Sequence, residues 1–133
     1  MIKEEIKFHF ANPIMVVSDA KTAAQFYEDT PWFTIDVLCE NPCYACVSRD
    51  GIIIELGASR PDYVGGCACI VHVSNIESLY NEFKAKGVVL VGDITGQEYG
   101  SKDFRIRDND GNLLAFGSAM ATQQELLGTG NVA

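Results

Sequence analysis

Apolar residues in the first half of the chain alternate between strand spacing and helix spacing. Asp19 is a suitable N-cap for a helix that Pro31 ends, because proline cannot continue the helical hydrogen bonds. Asn41-Pro42 and Asp50-Gly51 are turn signals, the second typical of a hairpin. The apolar face of the predicted helix recurs at i, i+3, i+4 and i+7 and consists of Ala20, Ala23, Ala24 and Tyr27. The predicted strands are Ala11–Val17, Phe33–Cys39, Cys43–Ser48 and Ile52–Gly57.

The second half of the chain repeats this order of elements. Ser74 and Glu77 form a capping-box pattern, and Lys84, Lys86 and Gly87 predict the end of the helix that follows. The predicted apolar face of this helix consists of Ile76, Leu79, Tyr80 and Phe83. The predicted strands are Cys67–Val73, Val88–Ile94, Asp103–Arg107 and Asn112–Gly117, the last two joined by a turn at Asp110-Gly111.

The two halves superpose by simple shifts along the chain. A shift of 56 residues places the first helix face on the second, and a shift of 60 places Asp50-Gly51 on Asp110-Gly111. Because whole patterns agree, the sequence indicates a tandem duplication of one βαβββ unit, and we predict an α+β fold. The predicted parts are an N-terminal extension over residues 1–10, a first module over 11–57, a linker over 58–66, a second module over 67–119 and a C-terminal tail over 120–133.

Length, composition and charge narrow the class of protein. The 133 residues, 47% of them hydrophobic, fit one soluble domain. No apolar run reaches the roughly 20 residues that span a membrane, and the first ten residues lack a signal-peptide pattern, so we expect a cytoplasmic protein. The formal net charge of −8 argues against binding to nucleic acid or an anionic membrane. It is compatible with a cationic ligand and equally with an ordinary acidic surface.

The cysteines invite a metal or redox interpretation that the surrounding sequence does not favour. Cys43 and Cys46 form a C-x-x-C pattern, but no helix follows it, as a thioredoxin-type site requires. No second C-x-x-C pattern completes a four-ligand zinc site. We therefore expect plain, free, buried cysteines in a reducing compartment. The five cysteines are Cys39, Cys43, Cys46, Cys67 and Cys69.

Three strings carry a resemblance to a known family: PIMVVSDAKTAAQFY, GIIIELG and RIRDNDGNLLAFG. Together with the order of the elements over residues 11 to 119, they resemble the vicinal oxygen chelate superfamily. This superfamily includes glyoxalases, bleomycin-resistance proteins and dioxygenases. The resemblance implies two tandem βαβββ modules whose curved mixed sheets form a cleft, and a homodimer with possible strand exchange between protomers.

Metal-dependent members of the superfamily hold a divalent ion with His, Glu or Gln from the first and last strand of each module. The resemblance places these positions at Asn12, Glu55, Ala68 and Ala115 in this chain. Only Glu55 is a good ligand, Asn12 offers a carbonyl oxygen, and the alanines offer none. Because a catalytic metal site takes about three protein ligands, we expect no metal and no cofactor. The resemblance is therefore closest to metal-free, bleomycin-resistance-like members.

Two charged or titratable residues are candidates for the site. Glu55 lies in the strongly apolar run IIIEL, where an unpartnered carboxylate would cost several kcal/mol. It either anchors a cationic or hydrogen-bonding group of a ligand, acts as a base, or is an ancestral remnant paired with Asn12 or a tyrosine. His72 lies on the strand face of Ala68 and is either a residue of the cleft mouth or an ordinary exposed histidine. His9 is expected to be peripheral.

Aromatic residues are the remaining candidates, since resistance proteins of this family stack flat ligand rings between aromatics. Each candidate is also explained by ordinary core packing. The candidates are Trp32, Phe33, Tyr44, Tyr63, Tyr99 and Phe104.

We therefore predict a metal-free small-molecule-binding protein that sequesters a planar or cationic compound. The predicted ligand-binding residues are Asn12, Trp32, Tyr44, Glu55, His72, Tyr99 and Phe104. One alternative is a glyoxalase-like lyase or isomerase, or a dioxygenase-related enzyme, that uses Glu55. A second alternative is a regulatory or structural partner protein.

Overall fold

Two four-stranded sheets, each accompanied by one helix, make up the fold. The computed structural model describes residues 5–92, 95–96 and 102–118. The elements in chain order are β1 (Ile14–Val16), α1 (Ala20–Asp29), β2 (Thr34–Cys39), β3 (Tyr44–Arg49), β4 (Ile52–Gly57), a 3-10 turn (Pro61–Tyr63), β5 (Ala68–Val73), α2 (Ile76–Ala85), β6 (Thr95–Gly96), β7 (Lys102–Arg107) and β8 (Leu113–Ser118).

The two sheets have the same topology. The first sheet has the strand order β1-β4-β3-β2, and the second has the equivalent order β5-β8-β7-β6. Ile14 pairs with Glu55 where β1 runs parallel to β4, and Ile70 pairs with Ala115 where β5 runs parallel to β8. Glu55 and Ala115 are therefore equivalent, as the repeat in the sequence predicts. The predicted α+β fold of two βαβββ units is confirmed.

Each helix covers one face of its sheet and creates the core. α1 buries its predicted apolar face against β2, β3 and β4. Alternate residues of the strands point into the same core, as Ile54 and Leu56 do in β4 and Phe104 and Ile106 in β7. Since successive strand residues face opposite sides, the remaining residues form a second face on each sheet, which neither α1 nor α2 covers.

The helix starts follow the sequence in one module and depart from it in the other. The Asp19 side chain accepts a hydrogen bond from the Thr22 backbone N–H at 2.9 Å, which confirms the predicted N-cap. The predicted capping box at Ser74 and Glu77 is wrong. Asn75 is the N-cap with a left-handed backbone (φ 55°), and Glu77 forms an ion pair with Lys102. This backbone displaces Ser74 from the position from which its hydroxyl could cap the helix.

The two hairpins differ although their turn sequences match. Asp50 and Gly51, with φ of 51° and 80°, form a two-residue connection between β3 and β4, as predicted. The connection between β7 and β8 is wider and spans residues 108–112. The Asp108 side chain accepts hydrogen bonds from the backbone N–H groups of Asp110 and Asn112, both at 2.9 Å, and stabilises this longer loop.

Buried polar side chains in this longer loop connect the two modules. Asn112 is fully buried and donates to the Val16 carbonyl at 2.9 Å and to Asp108 at 3.0 Å, while its own oxygen accepts from the Cys67 N–H at 2.9 Å. The Tyr27 hydroxyl donates to Asp108 at 3.0 Å. Burial and the nearby Asp108 carboxylate raise the pKa of Tyr27, so the phenol remains a donor. The loop of the second module is thereby fastened to β1 and α1 of the first.

Two predicted segments, one strand and the C-terminal tail, differ from the structure or lie wholly or partly outside the described residues. Val88–Ile94 is not a strand over its described residues 88–92, where only Leu90 forms a bridge, to Ile106. The rest of that segment and the C-terminal tail over 120–133 lie outside the described residues. No helix in the described part of the chain is long and apolar enough to cross a membrane.

Candidate functional site

The uncovered face of the first sheet carries the polar residues of the candidate site. Strand pairing places Cys46 of β3 directly opposite Glu55 of β4, and Ile14 of β1 beside Glu55 on the other flank. Tyr44 lies two residues before Cys46 and therefore on the same side of the sheet. We call this surface, with Ile14, Tyr44, Cys46 and Glu55, the Glu55 face.

The Glu55 carboxylate is held by hydrogen bonds on both of its oxygens. Asn12 Nδ2 donates to Oε2 at 3.0 Å, and the Tyr44 hydroxyl donates to Oε1 at 2.9 Å. Glu55 and Tyr44 are half-buried, so the carboxylate is partly removed from water and still accessible. Each carboxylate oxygen has a second acceptor site, so both can still accept a hydrogen bond from a ligand.

Tyr44 connects the Glu55 carboxylate to the Cys46 thiol. Its oxygen lies 2.8 Å from Cys46 Sγ. Because the single phenol proton is given to Glu55, the thiol must be the donor in this second bond. The hydrogen bond to Cys46, partial burial and the bond to Glu55 together raise the pKa of Tyr44, which keeps it a neutral phenol at physiological pH.

Apolar side chains surround this polar group and are open to solvent. Ile14 is 57% exposed, and Val37, which pairs with Cys46 on β2, is 41% exposed. Exposed aliphatic groups next to a held carboxylate form a surface that suits a flat, mostly apolar molecule with one polar group. Such a surface combines apolar contact area with one fixed point of orientation.

The equivalent face of the second sheet has no carboxylate at the position of Glu55 and instead carries Arg105 opposite Ala115, in an ion pair with Asp103. Ala68 and Ala115 occupy the positions equivalent to Asn12 and Glu55. These four positions supply one carboxylate and one amide, and both Glu55 oxygens are already hydrogen-bonded within the chain. This donor set falls short of the three protein ligands of a catalytic metal centre. Among the described residues, no group of three or more His, Cys, Asp or Glu is arranged to hold a metal ion.

Of the predicted ligand-binding residues, the structure brings together Asn12, Tyr44 and Glu55 and disperses most of the others. Trp32 lies in the α1–β2 connection, where Lys86 Nζ sits 3.2 Å from its ring centroid. Phe104 is 1% exposed and stacks on Phe116 in the core, so its assignment to the ligand surface is wrong. The sequence of β7 contained the signal for this correction, because Phe104 and Ile106 alternate with charged residues and therefore share the core face. Tyr99 lies outside the described residues.

The histidines stand apart from the Glu55 face. His72 is exposed on the same strand face as Ala68 and lines a cavity of about 450 Å³ between the modules, together with Arg49, Leu79 and Glu82. The residues that line this cavity do not include Asn12, Tyr44 or Glu55. His9 is exposed ahead of β1. Neither histidine contacts Glu55 in the described structure.

The cysteines are free, but the expectation that they are buried is wrong. Cys39 is exposed and the other four are half-buried. Cys43 lies in the turn before β3 and packs against the core, whereas Cys46 lies within β3 on the Glu55 face, and both thiols are free. Cys43 instead contacts the start of α1, where its sulfur accepts from the Ala20 N–H at 3.3 Å.

Sequence reasoning missed the contribution of Cys46 and that of the Asn112 cluster. The position of Cys46 could have been predicted from the sequence. A two-residue turn at Asp50-Gly51 sets the strand register so that Cys46 lies opposite Glu55. The Asn112 contacts join residues 45 and 96 positions apart. No local pattern of apolar and polar residues reports contacts over that distance.

Comparison of the sequence with models of known protein families gives a match. The family model described as "Glyoxalase superfamily protein" matches residues 2–123. No curated protein sequence matches the chain.

Solved structures similar to this chain share its fold at low sequence identity. One is the bleomycin-binding protein of bleomycin-producing Streptomyces verticillus, complexed with copper(II)-bleomycin (TM-score 0.73, 21% identity, 86% of this chain and 99% of that one). Another is a bleomycin resistance determinant encoded on transposon Tn5 (0.73, 19%, 86% and 100%). A third is lactoylglutathione lyase from Agrobacterium tumefaciens (0.72, 14%, 86% and 96%). At these identities the similarity establishes the fold alone.

Proposed function

The chain belongs to the glyoxalase superfamily, and from this membership together with the Glu55 face we propose that it binds a small planar organic molecule without a metal ion. The observation that carries the proposal is a carboxylate fixed by Asn12 and Tyr44 on an open, otherwise apolar sheet face. The two fold relatives whose descriptions name bleomycin support a binding role on this scaffold.

The chemistry of Glu55 indicates which ligand group it would recognise. A carboxylate only accepts hydrogen bonds, so the complementary group is a cation or a neutral N–H or O–H donor. Apolar neighbours such as Ile14 would contact the flat part of the ligand. A cationic ring system satisfies both requirements and is also attracted by the net charge of −8.

A second copy of the chain would complete the binding surface. The uncovered face of the second sheet also carries an exposed aliphatic residue, Ile70, which is 53% exposed. In a two-fold dimer, the second sheet of one copy can cover the Glu55 face of its partner, and the reverse contact follows from symmetry. This arrangement would bury Ile14 and Ile70 and enclose a cleft, consistent with a homodimeric assembly.

The cationic dye proflavine and its uncharged parent acridine test the proposed binding. Proflavine at 100 times its Kd should raise the Tm by about 10 °C, since such an excess stabilises by about 2.7 kcal/mol. Glu55→Gln should weaken proflavine binding about ten-fold or more and leave acridine binding nearly unchanged, because only the charged contact is lost. Glu28→Gln, on the exposed side of α1, is the matched control and should change neither.

Metal dependence is tested on the same protein. Binding should be the same before and after treatment with EDTA, and elemental analysis of the purified protein should find no stoichiometric Ni, Zn, Mn or Fe. Stoichiometric metal whose removal abolishes binding would overturn the metal-free part of the proposal. Absence of any stabilisation by proflavine and acridine at large excess would overturn the binding of flat ring compounds.

A further inference from the structure

A chain of three hydrogen-bonded groups crosses the Glu55 face. The Cys46 thiol donates to the Tyr44 oxygen over 2.8 Å, and the Tyr44 hydroxyl donates to Glu55 over 2.9 Å. The direction of both bonds is the same, from the thiol toward the carboxylate. Asn12 holds the other carboxylate oxygen and so fixes the acceptor end of the chain.

We propose that Cys46 is a nucleophile that adds covalently to planar α,β-unsaturated carbonyl compounds, with Tyr44 relaying its proton to Glu55. The inference rests on the proposed function in one respect only, that the ligand lies on the Glu55 face. It does not require the ligand to be cationic. The group of residues differs from a lone cysteine because a neutral relay and a fixed base accompany the thiol.

The proposed step balances without any further reactant. The sulfur forms a bond to the β-carbon of the ligand while its proton passes to the Tyr44 oxygen and the original Tyr44 proton passes to Glu55. The carbon–carbon double bond becomes an enolate. The enolate α-carbon then receives a proton back from Glu55 through Tyr44, so the net change is addition of S–H across the double bond with no oxidation or reduction.

The surroundings of Cys46 favour this substrate class over others. The thiol is half-buried and accessible, and it lies between Glu55 of β4 and the exposed Val37 of β2. A flat enone placed on these aliphatic groups would present its β-carbon to the sulfur from above the sheet. In this geometry the carboxylate assists as a general base while the carbon–sulfur bond forms, and no free thiolate beside the carboxylate is required.

The reaction can be tested with 2-cyclohexen-1-one as the probe and the other cysteines as internal controls. Adducts are counted by intact-mass spectrometry and located by fragmentation, since Cys39, Cys43 and Cys46 share the tryptic peptide that ends at Arg49. Cys46 should react about ten-fold or more faster than the more exposed Cys39. General-base assistance is worth about 10²–10⁴-fold, which exceeds the advantage of exposure.

Variants separate the relay from simple accessibility. Glu55→Gln and Tyr44→Phe should each slow the reaction at Cys46 about ten-fold or more while the rate at Cys39 stays the same. The unchanged Cys39 rate and an unchanged thermal melting curve verify that each variant is folded. If Tyr44→Phe does not fold, Glu55→Gln alone tests the relay. Equal rates at Cys46 and Cys39, or no slowing in Glu55→Gln, would overturn the inference.

Measurements on the native chain distinguish failure of this inference from failure of the proposed function. Proflavine has no α,β-unsaturated carbonyl group and reports reversible binding alone, whereas Cys46→Ser removes the nucleophile and should abolish the cyclohexenone adduct at this position. If proflavine binds but Cys46 gains no adduct ahead of Cys39, the covalent step is refuted and the binding site stands. If neither proflavine binding nor the Cys46 adduct occurs, both proposals fail.

Discussion

Replacing Asn112 by alanine should destabilise the fold more than any substitution of an exposed asparagine. The Asn112 side chain is fully buried and forms three hydrogen bonds. One, to Asp108, is within the loop after β7, and the other two join this loop to Val16 of β1 and to Cys67, just before β5. Alanine keeps none of these bonds. The substitution therefore tests how strongly one amide connects the two modules.

The expected loss follows from the three partners of Asn112. The bond to the Asp108 carboxylate is charge-assisted and contributes about 1.5–3 kcal/mol, and the Cys67 N–H left without an acceptor costs about 1–3 kcal/mol. The Val16 carbonyl loses less, because it also accepts from the Gly65 N–H at 3.3 Å. We expect the free energy of unfolding to fall by about 3–5 kcal/mol, a large share of the roughly 5–15 kcal/mol typical of a domain.

Urea unfolding followed by circular dichroism measures this loss. With an m-value of about 1–3 kcal/mol/M, the midpoint should fall by about 2 M and the m-value should remain the same. Asn81→Ala is the matched control. Asn81 lies on the exposed side of α2, so its replacement should change stability by about 0.5 kcal/mol or less, or increase it slightly. A loss below about 1 kcal/mol for Asn112→Ala would refute the view that this amide fastens the modules together.

Three further predictions follow from other parts of the structure. Gly65→Ala should destabilise the fold by about 1–3 kcal/mol more than Gly51→Ala. Both glycines have φ near +80°, but only at Gly65 would an added Cβ lie 2.4 Å from the Asp110 carbonyl oxygen. Equal losses of unfolding free energy for the two variants in urea would contradict this. Hydrogen bonds from Thr22 lower the pKa of the Asp19 carboxyl, so its stabilising effect is lost when the carboxylate is protonated. The Tm difference between the native chain and Asp19→Asn should therefore be full at pH 7 and shrink as the pH falls below 3.8, the ordinary pKa of an aspartate. A Tm difference that stays constant across this range would refute the prediction. Ile70→Asp should convert the proposed dimer to a monomer in sedimentation velocity, whereas Ile52→Asp, at a comparably exposed position on the opposite face of the first sheet, should not; an unchanged dimer with Ile70→Asp would place the interface elsewhere.

Local patterns in the sequence were sufficient for the architecture. Helix spacing from Ala20 to Tyr27, strand alternation and the turn at Asp50-Gly51 each depend on residues a few positions apart, and the structure confirms them. The repeat then related Glu55 to Ala115, because duplicated modules place equivalent residues at equivalent positions in the two sheets. The turn sequence also predicts that Cys46 lies opposite Glu55, because a two-residue turn fixes the register of the two strands it joins.

Tertiary structure alone decided which apolar face became the core and what joined the modules. In β8 apolar residues occur on both faces of the strand, so only the packing of α2 determines that Leu114 and Phe116 are the buried ones. In β7 the alternation of Phe104 and Ile106 with charged residues already indicates the buried face. The contacts of Asn112 with Val16 and Cys67 depend on how two finished modules meet. Hydrogen bonds between residues so far apart in the chain leave no periodic signal, because they arise only after each module has folded.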